Sequence, residues 1–140
     1  MKIHAVKQGE VAIEGYKKVE LDPSLTFFGL EDVSDNEAQE IFANDILDSI
    51  PLEMTQRLIS HLVSKLRVGG KLVVGGTEFR VFLRVCLNQG IPEQQAIETI
   101  RANNSMTNLK ALCDLLSSMG LDIETRNING IHCEARCVRK

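Results

Sequence analysis

The residues of this 140-residue chain with the widest chemical repertoire are three histidines and four cysteines. Cys133 and Cys137 fall four apart on an expected strand and so share one of its faces. At ~3.3 Å of rise per residue their Cα atoms stand about 13 Å apart, beyond the reach of a disulfide. His132 points to the opposite face, so the three do not converge on a zinc ion, and no metal is expected. Cys86 and Cys113 sit among apolar residues of expected helices and read as core. His4 lies in a first strand, His61 on an apolar helix and His132 in a terminal hairpin. None of them forms a triad with a serine or cysteine that the sequence can identify.

Composition removes other classes. The formal net charge is −3, tryptophan is absent and Tyr16 is the single tyrosine. Base stacking needs exposed aromatics, and phosphate backbones need a basic footprint, so no nucleic-acid partner is expected. Arg136, Arg139 and Lys140 read as a solvated basic tail. The segment Met1–Val6 lacks the apolar stretch of a signal peptide, and no apolar run approaches the ~20 residues that span a bilayer. The expectation is one cytoplasmic domain over 1–140 with no membrane partner.

The elements that must position any site alternate along the chain. Strands are expected at 2–6, 17–21, 25–30 and 39–43, with a connection at 7–16 that has room for only a short helix. Pro51 opens a helix whose apolar stripe is Leu52, Leu58, Ile59, Leu62, Val63 and Leu66, with Gly69-Gly70 as its stop. A buried strand follows at 71–74, then helices at 78–87, 93–101 and 107–119, the last capped by Thr107. Strands at 121–128 and 131–138 flank Asn129-Gly130, a two-residue hairpin turn. Alternating strands and helices imply a mostly parallel sheet with helices on both faces, and the hairpin adds an antiparallel end.

Three blocks carry a family resemblance. Residues 14–23 (EGYKKVELDP) are similar to "EGYxNVDLDP", residues 39–51 (QEIFANDILDSIP) to "DEIxASHVLEHIP", and residues 66–74 (LRVGGKLVV) to "LRPGGKLVI". Residues 116–121 (LSSMGL) resemble "LLxxAGF" ahead of the hairpin. Together they resemble the small class I S-adenosylmethionine-dependent methyltransferases over nearly the whole chain. The resemblance implies a Rossmann-like α/β sheet of order 3-2-1-4-5-7-6, S-adenosylmethionine as cofactor, and a small-molecule or sugar-like acceptor.

It also implies a site. The family's "LGCGD" turn corresponds to Val6, Lys7, Gln8, Gly9 and Glu10, in which Gly9 is retained and Lys7 replaces the first glycine. Lys7 brings bulk and a cation to a place where bare backbone approaches a sulfonium. Alternatively it swings out to water or pairs with the cofactor's carboxylate. Glu20, and Asp22 on the same strand face, match the acid that receives the ribose hydroxyls, and Glu31 with Asp32 the adenine side. Asn44 and Asp45 stand at the fourth-strand exit, where both family histidines are replaced, by Asp45 and Ser49. Asp45 is then the acceptor-side candidate for catalysis, and the segment 88–106 is expected to shape the acceptor pocket. A second reading from the same substitutions is a catalytically inactive relative that binds or regulates a protein partner. A third is a binder of adenosine compounds with another activity. Homo-oligomer formation is compatible with all three.

Overall fold

A computed structural model describes all 140 residues. Six strands form one sheet: β1 (Lys2–Val6), β2 (Lys17–Glu20), β3 (Ala38–Ala43), β4 (Leu66–Thr77), β5 (Leu121–Asn129) and β6 (His132–Arg139). Their spatial order is β2-β1-β3-β4-β6-β5. The β2–β1–β3–β4 pairs are parallel, and β6 is antiparallel to both β4 and β5. This is the expected order with the strand at 25–30 left out. That segment is instead a run of turns, because Phe28 (φ 54°) and Gly29 (φ 85°) take left-handed backbone that breaks extended pairing. A Cβ at Gly29 would lie 2.6 Å from the Glu20 carbonyl oxygen, so this turn packs backbone to backbone against the end of β2. Phe28 and Leu30 are still buried, which is why the stretch reads as a strand.

Four helices connect the later strands: α1 (Thr55–Lys65), α2 (Phe79–Leu87), α3 (Glu93–Ala102) and α4 (Leu109–Ser118). Leu58, Ile59 and Leu62 of α1 and Leu112, Cys113 and Leu116 of α4 share one core with Ile3, Ala5, Ile41, Leu72, Val74 and Ala135 of the sheet. Alternation along each strand therefore turns one sheet face into that helical layer. The opposite face carries Lys2, His4, Glu40, Phe42, Glu134 and Arg136, half-buried or exposed, and not the second helical layer expected. The connection at 7–16 forms no helix, and it crosses this face through Tyr16, whose hydroxyl donates to Glu40 at 2.9 Å. Cys86 is half-buried and not core, while the other three cysteines are buried and all four are free thiols.

Local chemistry sets several boundaries. α1 ends at Lys65, ahead of the glycine pair, because Leu66 already pairs with Ala38 as the start of β4. Asn108 caps α4, accepting from the Ala111 N–H at 3.1 Å, in place of the expected Thr107. Arg139 is not part of a solvated tail. Its guanidinium donates to the Val63 carbonyl at 3.2 Å and to the Leu66 carbonyl, closing the carboxyl end of α1. No helix is long and apolar enough to cross a membrane.

Candidate functional site

Strand order reverses between β1 and β3, the only place where two parallel neighbours run their connections in opposite directions. In open α/β sheets ligands bind at the carboxyl ends of the strands at such a point. The residues that follow β1 and β3 here are Lys7–Glu10 and Asn44–Asp45.

The turn after β1 is closed by the Glu10 N–H donating to the Lys7 carbonyl at 3.2 Å. Gly9 has φ 82°, a conformation that glycine adopts at no steric cost, and no atom lies within 4 Å of the position a Cβ would take. The turn thus has free space beside its bare backbone at Gly9. Register pairs Val6 with Glu20, so the Glu20 carboxylate stands beside this turn at the end of β2. Lys18, 2.8 Å away, holds the Glu20 carboxyl below its usual range by hydrogen bond and charge, and the Gly9 N–H adds to the effect. Glu20 is exposed and anionic at neutral pH.

Asp22 does other work. Its Oδ1 accepts from the Ser24 N–H at 2.9 Å and the Ser24 hydroxyl at 2.6 Å, which lowers its pKa and starts the turns at 22–30. Glu31 and Asp32 are exposed on the loop after those turns, with Val33 buried behind them.

Lys7 does not stay over the turn. Its Nζ lies 3.5 Å from Asp45 Oδ2, so the side chain that replaces glycine bridges from β1 to β3 and leaves Gly9 bare. Asp45 has a second neighbour, His132 Nδ1, at 4.0 Å from Oδ1. His132 Nε2 lies 3.2 Å from Asn44 Oδ1. Four side chains from three strand ends therefore meet at the crevice: Lys7, Asn44, Asp45 and His132. The sequence reading places the first three there and leaves His132 in the hairpin. The signal it lacked is the β4–β6 register, which pairs Thr77 with His132 and carries the imidazole to the exit of β3.

A second feature lies on the helical side. A cavity of about 590 Å³ opens between the start of α1, α3 and α4, with Leu52, Phe79, Ile100 and Met106 among its apolar lining and Asn103 and Ser105 among its polar lining. None of the candidate cofactor residues lines it. Its floor rests on buried Asp48, whose two carboxylate oxygens accept from the Thr77 N–H at 2.6 Å and the Thr77 hydroxyl at 2.7 Å. Asn103 donates to the same hydroxyl at 3.2 Å. The sequence reading missed Asp48, which lies among Asn44, Asp45 and Ser49 in a segment with several other polar residues.

No known protein family and no curated protein matches the sequence. Solved structures do match the architecture. A SAM-dependent methyltransferase from Aquifex aeolicus superposes over 100% of this chain and 82% of its own, with TM-score 0.59 and 11% identity. The fold is that of the class I S-adenosylmethionine-dependent methyltransferases. The 1,6-didemethyltoxoflavin-N1-methyltransferase of Burkholderia thailandensis, with S-adenosylhomocysteine bound, matches 99% of this chain and 71% of its own, with TM-score 0.63 and 10% identity. The magnesium protoporphyrin IX methyltransferase of Synechocystis PCC 6803, also with S-adenosylhomocysteine, matches 89% of this chain at TM-score 0.59 and 15% identity. This chain spans 52% of that enzyme, 68% of an Archaeoglobus fulgidus SAM-dependent methyltransferase and 36% of an O-methyltransferase family protein from Burkholderia thailandensis.

Proposed function

We propose that the chain binds S-adenosylmethionine at the β1–β3 crevice and transfers its methyl group to a small-molecule acceptor. The observation that carries the reading is the open Gly9 turn standing beside the anionic Glu20 at the strand-order switch point. These residues fit the cofactor. Glu20 receives the ribose hydroxyls, the bare backbone at Gly9 admits close approach, Glu31 and Asp32 flank the adenine side, and Asn44 and Asp45 face the acceptor. Val6 is buried beneath the turn and fixes its position. Asp22 serves the site indirectly, by shaping the loop that carries Glu31 and Asp32.

When bound, the cofactor supplies an electrophilic methyl group on a sulfonium. The chain's own contribution is position and charge. Holding acceptor and methyl carbon in line removes much of the barrier without acid–base help when the acceptor is already nucleophilic. Asp45 and Glu20 both place negative charge around a cationic ligand, and the Lys7–Asp45 pair keeps the lysine charge off the turn.

The apolar cavity supports an acceptor with an apolar body more than a bare sugar. It shares the segment after β3 with the crevice, since Leu47 lines it two residues beyond Asp45. Ile100, Asn103, Ser105 and Met106 come from the connecting segment after β4 that the sequence reading assigned to acceptor recognition.

Thermal shift with S-adenosylmethionine and S-adenosylhomocysteine tests the reading. At 100-fold excess over Kd, one-site binding stabilises the native state by about 2.7 kcal/mol, which raises Tm by several degrees. No shift with either compound at millimolar concentration sinks the methyltransferase reading and favours the protein-binding relative.

A further inference from the structure

We propose that α2 docks this protein on the surface of an anionic lipid bilayer, with Leu83 and Leu87 inserted among the acyl chains and Arg80 and Arg84 at the headgroups. The inference stands apart from the cofactor reading above. The observation behind it is an apolar stripe that nothing in the chain covers. Phe79, Leu83 and Leu87 follow one another at four-residue steps along α2 and are 46%, 43% and 83% exposed. Residues so spaced are neighbours on one side of a helix. Phe82 is the only buried residue of α2, so the helix is held by one edge and presents the rest outward. Phe79 also lines the cavity of about 590 Å³ together with Leu52 and Ile100, both exposed, which extends the stripe into a patch. An exposed apolar patch of this kind marks an interaction surface.

Charge selects the occupant. Between Glu78 and Glu93 the only charged residues are Arg80 and Arg84. At 100° per residue they lie beside the stripe and opposite Phe82. Neither forms an ion pair. Glu78 is buried, and its carboxylate accepts from the Val81 and Leu109 N–H groups. An apolar arc bordered by arginines and free of acids is the composition of a helix that lies in a lipid interface. Arginine stems can rest on the apolar side while their charge stays at the headgroups. A second copy of the chain fits less well. A two-fold interface repeats the same patch on both partners, so the arginines of the two helices would share one seam with no acid between them.

The dimensions fit a helix that lies on a membrane and does not enter it end-on. α2 has nine residues, about 13.5 Å at ~1.5 Å of rise each, far short of the ~30 Å hydrocarbon core. The chain's formal net charge of −3 opposes approach to an anionic surface, so the attraction is local to the arginines and weakens as salt screens it.

The test is co-sedimentation of the full chain with vesicles of phosphatidylcholine alone and of phosphatidylcholine with about one-quarter phosphatidylglycerol. Partitioning should be at least about tenfold stronger on the anionic vesicles at about 0.1 M salt and fall severalfold at about 0.5 M. Leu83→Ser with Leu87→Ser should weaken it about tenfold or more, and Arg80→Gln with Arg84→Gln should level the two lipids. The chain has no tryptophan, so Leu87→Trp gives a single indole whose emission should shift to the blue on anionic vesicles. That reading holds whether or not the serine variant folds. Absence of partitioning, equal partitioning on both lipids, or binding without a blue shift overturns the proposal. A parent dimer in lipid-free sedimentation that the serine variant dissolves, with no vesicle binding, assigns the stripe to a second copy and overturns it as well.

Discussion

Replacing Asp48 by alanine should be strongly destabilising. Asp48 is buried at 7% relative exposure, and no cation pairs with it. Its carboxylate instead takes both polar groups of Thr77, while its carbonyl accepts from the Asn104 N–H at 2.7 Å. Hydrogen bonds to a charged acceptor contribute about 1.5–3 kcal/mol each, and a buried donor left unpaired costs about 1–3 kcal/mol. The parent bears the desolvation of an unpaired carboxylate, which offsets part of this. A net loss of about 3 kcal/mol follows for Asp48→Ala. Asp48→Asn keeps one acceptor for the Thr77 N–H and lets the Thr77 hydroxyl turn round, so its loss should be about 1 kcal/mol. Urea unfolding reads both directly. With a slope near ~2 kcal/mol/M the alanine variant should unfold about 1.5 M earlier. Because the carboxylate and the Thr77 hydroxyl are partners in one hydrogen bond, Asp48→Ala and Thr77→Val should be non-additive. An alanine variant within about 1 kcal/mol of the parent, or strict additivity with Thr77→Val, would refute the claim that this carboxylate holds the cavity floor.

Two further outcomes follow from the fold. Gly29→Ala combines a left-handed φ with a Cβ 2.6 Å from the Glu20 carbonyl, so it should cost about 2 kcal/mol or more in denaturant unfolding and displace Glu20. Burial pushes the Cys133 thiol up to about 11 and the Cys137 thiol up to about 12. A thiol whose folded pKa is raised stays neutral while the unfolded chain ionises. Its contribution is therefore intact below the ordinary thiol range and is lost from there up through the folded values, at roughly 1.4 kcal/mol per pH unit per thiol. Denaturation series from neutrality to pH ~11 should show that decline, and Cys133→Ser with Cys137→Ala should flatten it.

Much of the fold is legible because its signals are local. The apolar stripe through Leu58, Ile59 and Leu62 reports a single element and has its structural counterpart in α1, although Pro51 opens a short 3-10 turn at 52–54 and the α-helix begins at Thr55. The hairpin forms one residue later than expected: Asn129 pairs with His132 as the end of β5, and Gly130-Ile131 make the turn, Gly130 supplying the left-handed φ of 61°. The segment 25–30 misleads because Phe28 and Leu30 are buried as a strand's residues would be, while Gly29 and the Asp22–Ser24 turn decide its backbone. A helix at 7–16 had too little apolar periodicity to form, and the sheet face beside it stays polar. The site was legible only as far as neighbouring residues reach. Gly9 and Glu20 are marked by their places at strand ends. His132 is 88 residues from Asn44 in sequence, and only the antiparallel register of β6 on β4 brings them together. Asp48 was hidden for the same reason, since its partner Thr77 lies 29 residues on, at the end of β4.

On the proposed function, Glu20 and the Gly9 turn form a working cofactor site. Isothermal titration of the chain with S-adenosylhomocysteine, repeated with Glu20→Ala, tests it most directly. One-site micromolar binding is expected in the parent and at least a tenfold weaker Kd in Glu20→Ala, about 1.4 kcal/mol, with the variant folded to the same urea midpoint. Equal affinity in the two proteins, or no heat from the parent at millimolar ligand, would contradict it.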